Sequence, residues 1–313
     1  MQVVGRNEER VLATVKRHRA ASGLAVPGWT VAGLEAALES CDAVVSCAGP
    51  FARAGRPVVE AVLRLRLPYC DSTGEQDFIR LVFDHFDAVA RNPGCCLVPA
   101  FGFDYVPGDL GAAIAAQGLG PLRSVDVVYA PTSLAISRGT QRTVAEGLTA
   151  GRVSKTSTRT VTVPSGRVTG ASGPGGEEVT VRRHLEVEMV TTYTVLGLPP
   201  AVVEAAGRMA SLPGVRGLVR AAMDRGPAGP VGQALDAPFA VHVQAEALDG
   251  RRRALLLEGN GPYPFTGEAL AELAVRMAAG RVDEVGARAP AEVVEPREFC
   301  ATVGLSVREV DPE

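Results

Sequence analysis

A chain of 313 residues, 46% hydrophobic and 21% charged, has enough apolar material for one large core or two ordinary ones. Its formal charge of −3 lacks the basic excess that nucleic acid or an anionic membrane surface would call for, so neither is expected as a partner. The first residues contain no apolar signal core and no apolar run approaches the ~20 residues of a membrane helix, so no transmembrane segment and a cytoplasmic location are expected.

The chain opens as a strand end turning into a helix. Val3 and Val4 run into Gly5, Arg6 and Asn7, with Asn7 as N-cap and Glu8 and Glu9 in the first turn, where the helix dipole favours negative charge. A strand is predicted over 24–31 and a short helix over 33–40. The stretch 44–51 (Val44, Val45, Ser46, Cys47, Ala48, Gly49, Pro50, Phe51) reads as a buried parallel strand that sheds side-chain bulk at its carboxyl end. That is the edge at which open α/β sheets bind ligands.

Helix is predicted over 54–67, a brief strand over 68–71, and helix again from Phe78 until Asn92, Pro93 and Gly94 stop it. A further strand spans 95–99. Strand–helix alternation with short connections predicts a parallel sheet flanked by helices.

Past residue 104 the pattern changes. Helix is predicted over 107–117 and a strand over 122–130, followed by helix over 139–150. Residues 164–176, rich in Gly, Ser and Pro, read as a mobile loop, and the alternation over 178–195 reads as strand. Helix follows over 199–223. Residues 239–258 read as a hairpin turning at Asp249 and Gly250, and helices are expected over 268–279 and 296–303. This second region reads as antiparallel α+β. The six cysteines (Cys41, Cys47, Cys70, Cys95, Cys96 and Cys300) show no C-x-x-C spacing and the four histidines fall in no ligand pattern, so free buried thiols and no metal site are expected.

Three successive strand ends share small or polar residues: Gly49 to Phe51, Ser72 to Glu75, and Gly102 to Asp104. Strand ends of one parallel sheet line one crevice, which points to a nucleotide site. The order VVSCAGPF at 44–51, PYCDSTGE at 68–75, FGFDYVPGDLG at 101–111 and SRGT at 137–140 resembles the saccharopine dehydrogenase-like oxidoreductases. It is nearer to their bacterial branch, which includes trans-acting enoyl reductases. The resemblance runs over nearly the whole chain, including Gly261, Pro262 and Tyr263.

The resemblance implies a Rossmann-like NAD(P)-binding domain at 1–103, an inserted substrate or oligomerisation α+β domain at 104–259, and a segment, 260–313, that returns to the first domain. It implies hydride transfer to a C=C or C=N bond of a small, lipid- or polyketide-like molecule, in a protein that could form a homodimer. Gly5, Arg6 and Asn7 would read the adenosine ribose. Ala48, Gly49, Pro50 and Phe51 would border the nicotinamide ribose, Thr73 and Gly74 would close the cleft, and Gly102 and Phe103 would lie near the ring. Arg6 with no acid beside it favours NADP(H), with NAD(H) as the alternative. Asp104 and Glu75 are the candidate catalytic acids, although Asp104 is read first as the N-terminal cap of the following helix. Arg138 and Thr140 are the candidate substrate contacts.

The chain departs from the family at its front, where a strand and a G-x-G-x-x-G turn should open the domain. It starts at the equivalent of the second strand, so the expected fold is a Rossmann-like parallel sheet lacking its first strand and Gly-rich loop, plus an inserted α+β domain with an antiparallel sheet. Three accounts follow. The true start lies upstream of Met1; or the chain is a truncated homologue that binds no cofactor and serves as a binding or scaffold protein; or a phosphate grip is rebuilt at Gly49 or Gly74.

Overall fold

A computed structural model describes residues 1–18, 22–131, 157–173, 175–195 and 235–313. In chain order the elements begin with β1 (Gln2–Gly5), α1 (Glu8–Arg17), β2 (Ser22–Ala25), α2 (Val31–Leu38), β3 (Val44–Ser46), α3 (Phe51–Leu65) and β4 (Tyr69–Asp71). Then come α4 (Gln76–Leu81), a π-helical turn (Val82–Phe86), α5 (Asp87–Arg91), β5 (Cys96–Val98), α6 (Val106–Ala116) and β6 (Leu122–Pro131). They continue with β7 (Thr158–Val163), β8 (Gly166–Gly173), α7 (Glu177–Thr180), β9 (Val187–Thr194), β10 (Pro238–Ala247) and β11 (Arg252–Asn260). The last are α8 (Pro262–Ala278), β12 (Gly286–Ala287), α9 (Pro290–Val293), α10 (Pro296–Thr302) and β13 (Ser306–Val310).

The chain forms two compact units. Unit 1 comprises Met1–Pro99 and Leu270–Arg288, and unit 2 comprises Ala100–Ala269 and Ala289–Glu313. Unit 1 holds parallel strands in two pieces. β1 pairs with β2, and a separate four-stranded sheet runs β12-β5-β4-β3. Among the described residues no ladder joins β1 to β3.

The predicted strand over 24–31 shrinks to Ser22–Ala25, because Pro27 and Gly28 open a turn in which Trp29 takes a positive φ of 44°. α3 starts at Phe51, three residues earlier than predicted, because its first amides find acceptors. It buries Val58, Val59 and Val62 at helical spacing. The helix after β4 keeps its apolar face through the π turn, with Phe78, Ile79, Val82, Phe83 and Phe86 all buried.

Unit 2 is built on a seven-stranded sheet, β13-β11-β10-β6-β9-β8-β7. Its neighbours are antiparallel except β6 and β9, which run parallel, so the sheet is mixed rather than purely antiparallel. β6 and β10 are nearly continuous runs of buried residues, as strands covered on both faces require, and the middle of β11 is buried likewise.

Two expectations are corrected here. Residues 164–176 are largely strand: β8 pairs with β7 and β9, and the absent side chain of Gly170 lets Tyr193 lie close, at 3.0 Å from where a Cβ would stand. Residues 177–183 are helical, as α7 and a 3₁₀ turn, and only from Val187 does the alternation become a strand. Burial of Glu177, Thr180 and Val181 on one side of that turn decides it. The helices predicted over 139–150 and 199–223 lie outside the described residues.

Candidate functional site

In unit 1 the carboxyl ends of β1 and β3 lie together. Arg6, just past β1, donates from Nη2 to the Gly49 carbonyl at 3.4 Å, and its guanidinium stands 5.7 Å from the Trp29 ring centre. Trp29 is held by its indole N–H on the Ala54 carbonyl at 2.9 Å. Gly5 passes close over α1: a Cβ there would meet Val11 at 2.7 Å. Asn7 caps α1 through Oδ1, which accepts the Arg10 amide at 2.9 Å. Past β3, Gly49 is exposed and Ala48 half-buried, whereas Phe51 turns its ring inward against Phe78 at 5.5 Å.

The end of β4 is an ordered polar turn. The buried Asp71 accepts the Tyr69 hydroxyl at 2.7 Å and the Thr73 amide at 2.8 Å. Burial first, then the Asp71 carboxylate, hold the Tyr69 hydroxyl well above its ordinary pKa. The Thr73 hydroxyl accepts the Glu75 amide at 3.1 Å, and Gly74 between them is half-buried. Glu75 spends both carboxylate oxygens on the first turn of α3, accepting the amides of Phe51 at 2.7 Å and Ala52 at 2.8 Å.

Unit 2 carries Gly102, Phe103 and Asp104. Gly102 is buried. Phe103 donates its amide to the Thr266 hydroxyl at 3.0 Å and packs against Tyr129, Phe239 and Phe265. Asp104 is exposed, although the protein packed around it pushes its carboxyl above the ordinary value. The cap of α6 falls at Tyr105 without a side-chain hydrogen bond, so Asp104 does not cap it. Arg138 and Thr140 lie outside the described residues.

The buried acids of unit 2 were not singled out from sequence. Glu177, fully buried, accepts the Tyr129 hydroxyl at 2.5 Å on one oxygen and the Thr192 hydroxyl at 2.7 Å on the other. Burial raises its pKa to about 7 against those two hydrogen bonds. Asp109, also fully buried, accepts from the Ala291 amide at 2.8 Å and meets His184 Nε2 at 3.0 Å. A single acid inside a Gly- and Glu-rich stretch gives no sequence signal of such a role.

A nicotinamide dinucleotide needs a residue to read the adenosine ribose, free amides for its pyrophosphate and an open wall beside the ring. Arg6 and the exposed Gly49 are hydrogen-bonded to each other, so as placed they suit one end of such a molecule and not both. At the helix starts of unit 1, Asn7 Oδ1 takes the Arg10 amide of α1, and the Glu75 carboxylate takes the first two amides of α3, where its charge would repel a phosphate. Among the described residues no group of His, Cys, Asp and Glu could hold a metal, and no helix is long and apolar enough to cross a membrane. Cys47 is exposed, Cys41 half-buried and the other four cysteines buried, all of them free.

Parallel strands with helices between them and a mixed sheet inserted after them define a Rossmann-type α/β fold. The yeast saccharopine dehydrogenase (L-Glu forming) from Saccharomyces cerevisiae has this fold, at a TM-score of 0.60, 14% identity, 99% of this chain and 94% of that one. The homospermidine synthase of Legionella pneumophila, determined in complex with NAD, shares it at a TM-score of 0.54, 9% identity, 99% of this chain and 85% of that one. In sequence the chain is 31% identical over 137 residues to a trans-acting enoyl reductase of Mycobacterium tuberculosis, and 25% identical over 160 residues to a saccharopine dehydrogenase-like oxidoreductase of Bos taurus. Those matches span 42% and 46% of this chain, and only 33% and 37% of the relatives' own lengths. No family model matches. Over those spans the chain is similar in sequence to saccharopine dehydrogenase-like and trans-acting enoyl reductase proteins.

Proposed function

We propose that the chain belongs to an NADP(H)-dependent oxidoreductase that transfers hydride to a C=C or C=N bond of a small, lipid- or polyketide-like molecule. The observation that carries this reading is the Arg6 guanidinium between Trp29 and the Gly49 carbonyl, at the carboxyl ends of β1 and β3. A cation with no acid beside it suits a 2′-phosphate, whereas an acid would hold a bare ribose hydroxyl. The trans-acting enoyl reductase among its relatives supports the C=C choice. No chemical step is assigned, since the Glu75 carboxylate occupies the first two amides of α3.

A second reading, a binding or scaffold protein without cofactor chemistry, is favoured by the Glu75 carboxylate on the α3 amides. Fluorescence titration of the 313-residue protein with NADPH and NADH separates the two. Micromolar NADPH binding that weakens about tenfold in Arg6→Ala, with NADH little changed, supports the first. A cooperative thermal melt that neither nucleotide shifts at millimolar concentration supports the second.

A further inference from the structure

The two outermost strands of the unit 2 sheet, β7 and β13, stand at opposite ends of its strand order. Val161 and Val163 of β7 nevertheless share one buried cluster with Val128 of β6, Ala240 of β10 and Leu256 of β11, none of them on a neighbouring strand, so the sheet curls back over its own face. Polar side chains enter that apolar interior. His242 pairs in register with Val128 and Leu256 and therefore shares their face. Gln244 and its register partner Asp126, two residues along their strands, face the same way. Arg159 alternates with Val161 and Val163 on β7, and its Nη1 holds Asp126 Oδ2 at 2.6 Å.

A cavity of about 650 Å³ lies in the seam of the curl, with Thr162, Val163 and Pro164 on one side and Arg308, Val310 and Glu313 on the other. Residues 311–313, beyond β13, are exposed, and Glu313 crosses the seam. Its amide donates to Gln244 Oε1 at 2.8 Å, its main-chain oxygen accepts Arg159 Nη2 at 2.9 Å, and its Oε1 accepts the Thr162 amide at 3.0 Å. One residue thus ties the end of β13 to both β10 and β7. His242, 1% exposed in the interior, has no partner for either nitrogen among the described residues. The charges that act on it are those of Arg159 and Glu313.

We infer that residues 311–313 are a releasable strap: with Glu313 in place the seam is shut and His242 is sealed from water, and with Glu313 withdrawn the seam opens to it. Two opposed effects set the balance. Closure is held by three hydrogen bonds to one exposed residue, each of modest net strength because water competes for both partners. Opening lets water reach an imidazole that the closed state buries without a hydrogen bond, and burial of that kind is costly. No strand pair has to break for the strap to leave. β13 keeps its ladder to β11 as far as Val310, and β7 keeps its ladder to β8. The inference concerns unit 2 alone and is independent of cofactor binding.

Solvent access to His242 can be measured in the 313-residue protein as its rate of modification by diethyl pyrocarbonate near neutral pH, followed by peptide mass spectrometry. The exposed His85 and the half-buried His184 serve as internal standards. Glu313→Ala removes the acceptor, and Thr162→Pro the donor, of the same hydrogen bond. An edge strand tolerates proline where its N–H faces away from the neighbouring strand. In the parent, His242 should react at least tenfold more slowly than His85. Each variant should raise the His242 rate at least tenfold with His184 unchanged, and the double variant should add nothing to either single one. An unchanged His242 rate in both variants, a parent rate equal to that of His85, or increases that multiply in the double variant would overturn the inference. So would a parallel rise at His184, which would show unit 2 loosening as a whole.

Discussion

The Glu75 carboxylate and the Phe51 amide are joined at 2.7 Å, which ties the turn after β4 to the first residue of α3. The other oxygen holds Ala52 at 2.8 Å, so one side chain satisfies two of the four amides that a helix start leaves free. The arrangement does the work of an N-cap from another strand, and Pro50 at the cap position supplies no side-chain acceptor. Glu75→Ala should destabilise unit 1 by roughly 1–2 kcal/mol, and Glu75→Gln by about half as much, since the amide keeps one acceptor but loses the charge that the helix dipole favours. Urea titrations followed by circular dichroism check the order; a Glu75→Gln loss as large as that of Glu75→Ala would refute the charge contribution.

Glu177 gives unit 2 a pH dependence of unusual sign for a carboxylate. Its pKa is about 7 in the folded chain against an ordinary 4.5, because burial outweighs the hydrogen bonds from Tyr129 and Thr192. A raised folded-state pKa means stability that is fully present below 4.5 and lost as pH rises through 7. The loss should amount to about 3 kcal/mol at most. Glu177→Gln should flatten the stability profile over that window and leave the protein more stable than the parent at pH 8. A parent profile already flat between pH 5 and 8 would contradict the assignment.

His242 acts in the acid range. Its ring is 1% exposed on β10, and neither nitrogen has a partner among the described residues. Burial, then the Arg159 guanidinium, push its pKa down to about 4, with Glu313 opposing. Arg159 is itself held by Asp126 at 2.6 Å. A depressed folded-state pKa contributes stability that is present above 6.5 and disappears as pH falls toward 4, again by about 3 kcal/mol at most. Chemical-shift titration of the ring should show no protonation at pH 5.5, and His242→Gln should remove the destabilisation between pH 6.5 and 4.

Asp109 holds two groups from distant parts of unit 2, the Ala291 amide and the His184 ring. Burial alone would lower the His184 pKa, but the Asp109 charge and hydrogen bond prevail and raise it above the usual 6.5. Asp109→Ala leaves both partners unsatisfied and should cost roughly 3–5 kcal/mol, the range for breaking one side of a buried pair. In Asp109→Asn, if folded, the His184 titration should move below 6.5; an unmoved midpoint would show that another group sets it.

Elements whose signal is local were legible in the sequence. The 238–260 hairpin follows from Asp249 and Gly250 between apolar runs, and α6 from its apolar run behind Pro107. Residues 164–176 were read as a loop because Gly, Ser and Pro usually mark one; β8 within them pairs instead with the adjoining β7 and with β9. Residues 178–195 showed a period of two that the structure respects only from Val187, since the burial of Glu177 outweighs local propensity. Arg6, Gly49 and Glu75 could be named from their motifs. Their partners could not: the Glu75 contact to the α3 amides depends on where β4 and α3 are placed, and spacing alone does not specify that.

The mixed register around β6 bears on how the chain is made. Its neighbours are β9 and β10, so residues 122–131 must wait for residues 187–194 and then 238–247 before either edge is paired. At roughly 5–20 residues per second, a ribosome leaves this mostly apolar strand uncovered for several seconds. Nascent unit 2 is therefore a candidate client for a chaperone that holds extended apolar segments, and premature release would favour association through β6.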